Sequence, residues 1–268
     1  MLRRFDTDAD HHPAVALRLD VTENDAEQPI HFHRKGQLVM AARGGVTCEV
    51  PRGMWMVPPR HAVWIPGGMP HSNRATENAE IYFLFVEPDA ASMPSNCCTL
   101  AISPMVSELV KYLAQQGLAF QSDGPTARLA AVLLEQLATA PVERLHVPMS
   151  GNPKLRRMAR ALGKDPADRT TLPQWADKLA VSERTLARLV LRETGLTFGR
   201  WRQQHQLVVA VRLLTEGAAV QDVAGALGYE SVTAFITMFK KALGKPPAQY
   251  FAAVQASRSS VPRTPADR

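Results

Sequence analysis

Cysteine is scarce in this 268-residue chain, which carries only Cys48, Cys97 and Cys98. One isolated thiol and one adjacent pair form neither a disulfide framework nor a zinc-ligand spacing, and they read as ordinary thiols of a reducing compartment. Long apolar runs are missing too. Stretches such as residues 207–211 fall far short of the roughly 20 residues that a bilayer span requires. No membrane partner is expected. The N-terminal residues turn acidic after Arg3 and Arg4 and lack the apolar core of a secretory signal. The cytoplasm is the expected location.

What is present is the 46% apolar and 21% charged composition of a globular protein, long enough for two domains. Its charge is unevenly placed. From Ser150 onward there are 19 Lys and Arg against nine Asp and Glu, a net of +10, which leaves −4 for the rest. A basic half joined to a mildly acidic one suggests that only the C-terminal half meets a polyanion. A solvated basic surface would show the same totals, so the spacing of residues must decide.

In the basic half, Trp175, Ala176 and Leu179 recur at helical spacing, and Pro173 suits a first helical turn. Ser182 offers an N-cap to a second helix with the stripe Leu186, Leu189 and Val190, which Gly195 ends. A short helix, a tight turn and a second helix make a helix-turn-helix over about 173–194. The pattern returns over about 220–243. There Ala224 and Leu227 repeat the first pair, and Ser231 is followed four and eight residues on by Phe235 and Phe239. Between the copies, 198–214 reads as one long helix. The apolar stripes are core; function belongs to the faces turned away from them.

The run Gly228-Tyr229-Glu230-Ser231, Ala234-Phe235 and Phe239-Lys240-Lys241 through Pro246-Pro247 resembles the C-terminal signature of the AraC/XylS regulators. Ser182-Glu183-Arg184-Thr185, Glu193-Thr194-Gly195 and Trp201-Arg202 resemble that family's first helix-turn-helix. Val232, Thr233 and Pro246 depart from common family choices, which leaves base preference open. The resemblance implies an all-α DNA-binding domain of about seven helices over 150–256, with the second helix of each unit in the major groove. On the first such helix the outward residues are Glu183, Arg184, Ala187 and Arg188, and the two arginines can reach guanine edges or phosphates. On the second they are Val232, Thr233, Ile236 and Thr237, followed by Lys240 and Lys241. With no arginine there, readout would fall to thymine-methyl contacts, with the lysines on phosphate.

The N-terminal half alternates apolar and polar residues in short runs broken by Gly and Pro, as strands do. His31 and His33, two apart, point to one face of a strand; Gln37 follows, and His71 comes after the turn Pro66-Gly67-Gly68. This layout is similar to the two cupin motifs, in which two histidines, a glutamate and a third histidine hold a metal inside a small barrel. Here Gln37 stands at the carboxylate position, and a neutral amide is a poorer ligand for a divalent cation. Two readings stay open. His31, His33 and His71 can hold a divalent metal, or these residues with Gln37 can line an effector pocket by hydrogen bonding. The fold expected is thus a cupin or jelly-roll-like β-barrel over 1–90, a helical pair within 91–149 and the DNA-binding domain, with 257–268 a disordered tail.

The segment from Asp89 to Ser103 reads as an exposed connection, and 141–153 as a linker. Of the helical pair, one stripe is Val106, Leu109, Val110 and Leu113, and the other Leu129, Val132, Leu133 and Leu137. The pair can cap the barrel or join two copies into a homodimer. The function implied is a sequence-specific transcription regulator controlled by a small-molecule effector. Its partners are double-stranded DNA, that effector, a second copy and, for such a regulator, RNA polymerase. The alternative is a metal-dependent cupin enzyme fused to a DNA-binding domain.

Overall fold

The computed structural model describes residues 8–21, 27–57, 61–76, 79–117, 120–143 and 146–251. The strands come first: β1 (Ala14–Asp20), β2 (Glu27–His31), β3 (Gly36–Arg43), β4 (Val46–Val50), β5 (Gly53–Met56), β6 (His61–Ile65), β7 (His71–Ala75), β8 (Glu80–Val86) and β9 (Cys98–Ala101). Helices α1 (Pro104–Gln116) and α2 (Pro125–Ala138) follow, then the short strands β10 (Val142–Glu143) and β11 (His146–Pro148). The rest is helical: α3 (Pro153–Lys164), α4 (Leu172–Lys178), α5 (Glu183–Thr194), α6 (Phe198–Glu216), α7 (Val220–Ala226), α8 (Val232–Leu243) and a last turn at 247–251. The residues of the expected tail lie outside the described ones.

The strands form two antiparallel sheets, ordered β1-β8-β3-β6-β9-β10 and β11-β5-β4-β7-β2. This is the jelly-roll-like arrangement expected. Among the described residues no hydrogen-bonded strand pair joins the sheets, so they form a sandwich and not a closed barrel. Val15, Val39, Val63, Phe83 and Phe85 fill the space between them, together with Val46, Cys48 and Trp55 from the smaller sheet. The alternate residues Leu38, Met40, Trp64, Tyr82 and Leu84 point the other way and are covered by α1 and α2. Covering on both faces explains why the sequence IYFLFV of β8 reads as an unbroken apolar run.

Three features differ from the sequence reading. The span from Asp89 to Ser103 is not all exposed, because Cys98–Ala101 joins the six-stranded sheet with Thr99 and Leu100 fully buried. On α2 the buried stripe is Ala130, Leu133, Leu134 and Leu137, while Val132 faces solvent at 40% exposure. Packing on a flat sheet turned the helix by one position from the stripe its leucines suggested. The expected linker also contains β11, which pairs with β5 and buries Val147. Val147 packs in the same core as Leu155, Trp175, Leu186 and Trp201, so the helical half docks against the strand that leads to it.

Candidate functional site

Local chemistry sets each helix of the C-terminal half. Thr171 and Gln174 close a capping box on α4, with Pro173 in its first turn. Ser182 caps α5 by accepting from the Thr185 amide at 3.2 Å, and Ser231 caps α8 by accepting from Ala234 at 3.1 Å. Both recognition helices end on left-handed glycines, Gly195 and Gly244. Their buried stripes are Leu186 with Val190 and Phe235 with Phe239.

The outward faces follow from those stripes. On α5, Glu183, Arg184 and Arg188 are exposed and Ala187 is half-buried beside them. Neither arginine engages a carboxylate among the described residues, whereas the next one, Arg192, is spent on Glu193 at 3.0 Å. On α8, Thr233, Thr237, Lys240 and Lys241 are exposed, but Val232 and Ile236 lean onto the core of their own unit. The second face is therefore narrower than the six residues expected from spacing. The Thr237 hydroxyl donates to the Thr233 carbonyl at 2.8 Å, which ties it to its own helix in this state.

Helix α6 makes one body of the two units. Its 19 residues span about 28 Å at 1.5 Å each. Trp201 lies in the first core, Leu207, Ala210 and Val211 in the second, and Val208 touches both. His205 sits between, 3% exposed and edge-on to Trp201, and burial pushes its pKa down to about 4. A basic face that spacing did not single out lies on α3, where Arg156, Arg157, Arg160 and Lys164 are all exposed. The run of cations was visible in the sequence, but no motif drew attention to it.

In the sandwich, the structure brings His31, His33, His71 and Gln37 together. His31 and His71 are cross-strand partners on β2 and β7. The Gly68 amide donates to the His33 carbonyl at 2.8 Å. Gly67 permits that approach, since a Cβ there would lie 2.0 Å from the Arg34 carbonyl oxygen. The imidazoles meet with ring centroids 4.4 Å apart for His31 and His71 and 5.1 Å for His33 and His71. Their ligand atoms lie within 4.8 Å of one another.

The hydrogen bonds define which nitrogens are free to act. Each Nδ1 faces a backbone carbonyl: Pro29 at 2.9 Å for His31, Lys35 at 2.6 Å for His33 and Met69 at 2.9 Å for His71. A neutral ring that donates from Nδ1 carries its lone pair on Nε2. Burial pushes the His71 pKa down to about 4, so that ring is neutral at ordinary pH. Yet Nε2 of His33 and of His71 both face Gln37 Oε1, at 3.0 and 2.7 Å. At His71, acceptor faces acceptor. A cation among them, a ligand that donates hydrogen bonds, or a turn of the amide to present its NH2 group would resolve the conflict. Backbone carbonyls that orient the far nitrogen are the usual outer support of metal-bound imidazoles, so the donor set fits a divalent metal. Sequence spacing found all four residues.

In the leader before β1, His12 is half-buried, with its ring 4.2 Å from that of Phe120 and Nε2 2.9 Å from the Phe120 carbonyl. Lys35, fully buried, bonds Asp10 at 3.3 Å.

Among known proteins, the Helix-turn-helix domain family matches residues 175–253. The HTH-type transcriptional regulator NimR of Escherichia coli K12 is 49% identical over 251 residues, which cover 94% of this chain and 92% of that protein. A protein of Streptomyces lividans named as an AraC-like transcription regulator is 31% identical over 129 residues, covering 46% of this chain and 42% of its own. Among solved structures, ToxT of Vibrio cholerae aligns over 89% of this chain and 97% of its own at 10% identity, with a TM-score of 0.39.

Proposed function

This chain belongs to the AraC-type helix-turn-helix transcription regulators, and from that premise we propose that it acts in the cytoplasm as a DNA-binding switch controlled by a small molecule. The family is one of DNA-binding regulators, so the enzyme alternative is set aside. The observation that carries the proposal is the pair of capped, outward-facing recognition helices on the shared core of α6. Arg184 and Arg188 read bases in one major groove, with Glu183 and Ala187 at the edge of the contact. Thr233 and Thr237 face the next groove beside Val232, and Lys240 and Lys241 hold phosphate.

The effector pocket in this reading is the cluster of His31, His33, Gln37 and His71. The convergence of the histidine ring nitrogens within 4.8 Å supports either a divalent metal on His31, His33 and His71 or a polar effector that bonds to them. If metal binds, it supplies a positive centre with open positions, and the three carbonyl-oriented imidazoles hold it. Dimerisation through the exposed side of α1 and α2, around Met105, Tyr112 and Val132, fits the apolar surface there. RNA polymerase contact would accompany an activating output. The test is a binding titration on the chain's own promoter region with and without the His31→Ala/His71→Ala double change. Sequence-specific binding that persists while its response to added zinc or nickel, or to a cell extract of small molecules, disappears supports the reading. Binding no tighter than to random DNA overturns it.

A further inference from the structure

A second cavity, of about 740 Å3, lies outside the sandwich between the leader, the loop after β8, Phe120 and α2. It falls within the usual 300–1,000 Å3 of small-molecule sites. None of the four residues of the histidine cluster lines it. Along α2 its wall is made of Ala127, Ala131, Leu134 and Ala138, and opposite stand Pro13, Pro88 and the Phe120 ring. Small side chains on that helix face leave the space open.

The polar groups are lopsided. Glu87, Asp89 and Glu135 line the cavity, and no Lys or Arg does. Behind the wall, Arg34 and Lys35 are already engaged. The Arg34 guanidinium donates to Glu87 and to the Asp8 backbone carbonyl, the Arg34 amide donates to the Asp8 carboxylate, and Lys35 lies 3.3 Å from Asp10 and 3.6 Å from Glu87. Among the described residues, Asp89 and Glu135 of the wall are the carboxylates left without a cation beside them. The Arg34 hydrogen bond, with Lys35 near it, holds the Glu87 carboxyl below the usual range, so it stays ionised. His12 anchors the leader as the lid of this space, through the Phe120 carbonyl on one nitrogen and Asp10 on the other at 3.1 Å.

We propose that this cavity is a second ligand site, which takes an apolar organic cation and clamps the leader onto α2. The apolar faces receive the body of such a molecule, and the carboxylates of Asp89 and Glu135 receive its charge. The half of the chain that holds the cavity nets −4, so a saturable single site, and not mere attraction, is what distinguishes this reading. Ligand held here touches α2, the helix whose other side packs on the six-stranded sheet, and it bridges that helix to the leader.

Tetraphenylphosphonium and tetraphenylborate, nearly identical in shape and opposite in charge, make the test. Each is titrated by calorimetry into the full chain, into Ala131→Trp, which fills the cavity from an exposed position, and into His31→Ala/His71→Ala. Tetraphenylphosphonium should bind the wild type saturably at one site. Ala131→Trp should weaken that binding at least tenfold, and the double histidine variant should leave it within twofold. Should Ala131→Trp melt more than a few degrees early, Ala127→Leu provides the same block with a smaller side chain. Four results overturn the proposal: no saturable phosphonium binding, binding unchanged by the cavity-filling variant, borate competing as tightly for the same site, or loss confined to the double histidine variant. The last would place the ligand in the histidine cluster, and it would leave the DNA-binding reading untouched.

Discussion

In the first helix-turn-helix unit the residue that turns the chain between helices is Ala180, at φ +51°, whereas the second unit puts Gly228 there, at φ +74°. Both turns make the same backbone bonds. Val181 reaches the Ala176 carbonyl at 3.0 Å, and Tyr229 reaches that of Ala224 at 2.9 Å. The units also share serine caps, left-handed C-terminal glycines and the helix that carries them. They part on the outward face, where arginines stand on α5 and threonines and lysines on α8. Turn and core chemistry is thus held to a common geometry, while the outward faces of the two units differ. On this account one chain reads two unlike half-sites with a single rigid frame.

The largest effect expected comes from the seam of that frame. His205 is neutral in the fold, with a pKa near 4, and an unfolded histidine titrates near 6.5. Between those values the unfolded chain binds the extra proton. The His205 contribution should therefore be complete above pH 6.5 and fall by about 3 kcal/mol as pH drops toward 4, and His71, lowered to the same value, should add a loss of its own over that window. His205→Leu should blunt that acid sensitivity, as read from denaturant melts at pH 7 and 4.5. If the units are one body, the tryptophan signal of the first, read with Trp55 and Trp64 of the sandwich changed to Phe, and the helical signal of the whole lose stability together. Separate transitions would break the shared frame.

Next in size are the arginines. Arg184→Ala or Arg188→Ala should cost about 1–3 kcal/mol on the cognate site and relax its sequence preference. Lys240→Ala should weaken specific and random DNA alike and lower the slope of the salt dependence by about one. Equal losses on both DNAs for the arginine variants would erase the contrast between the two faces.

The turns should respond unequally. Gly228→Ala forces a side chain into a left-handed position and against Ala167, 3.2 Å away, and should destabilise the chain by about 1–2 kcal/mol. Ala180→Gly removes that strain from the first turn but frees the unfolded chain, so its net effect should stay within about 1 kcal/mol. Thermal melts of the two variants give the signs. A loss on Ala180→Gly as large as that on Gly228→Ala would mean that the turns are not equivalent.

Much of this was legible in the chain because it is local. Caps such as Ser182 and Ser231 act three residues away, and the Leu186 and Phe235 stripes repeat at helical spacing. The histidines were legible for a similar reason: His31 and His33 alternate on one strand face, and the glycine turn before His71 marks a return. What stayed hidden depends on distant partners. The rotation of α2 is set by the sheet beneath it, and β9 and β11 pair with strands about 35 and 90 residues earlier. The burial of Lys35 and the docking of His12 on Phe120 depend on residues 25 and 108 positions away, which no local pattern encodes. Val232 looked outward by spacing, but the core of its unit extends far enough to hold it.

The tandem reader itself is tested most directly by hydroxyl-radical footprinting of the full chain on its own operator, beside the Arg184→Ala/Arg188→Ala double variant. Two protected patches per subunit are expected on one face of the duplex, about 10–10.5 base pairs apart, one turn of B-DNA. The double variant should lose the patch beneath the first unit and keep a weakened second. Protection confined to one major groove in the wild type, or loss of both patches in equal measure, would contradict the account.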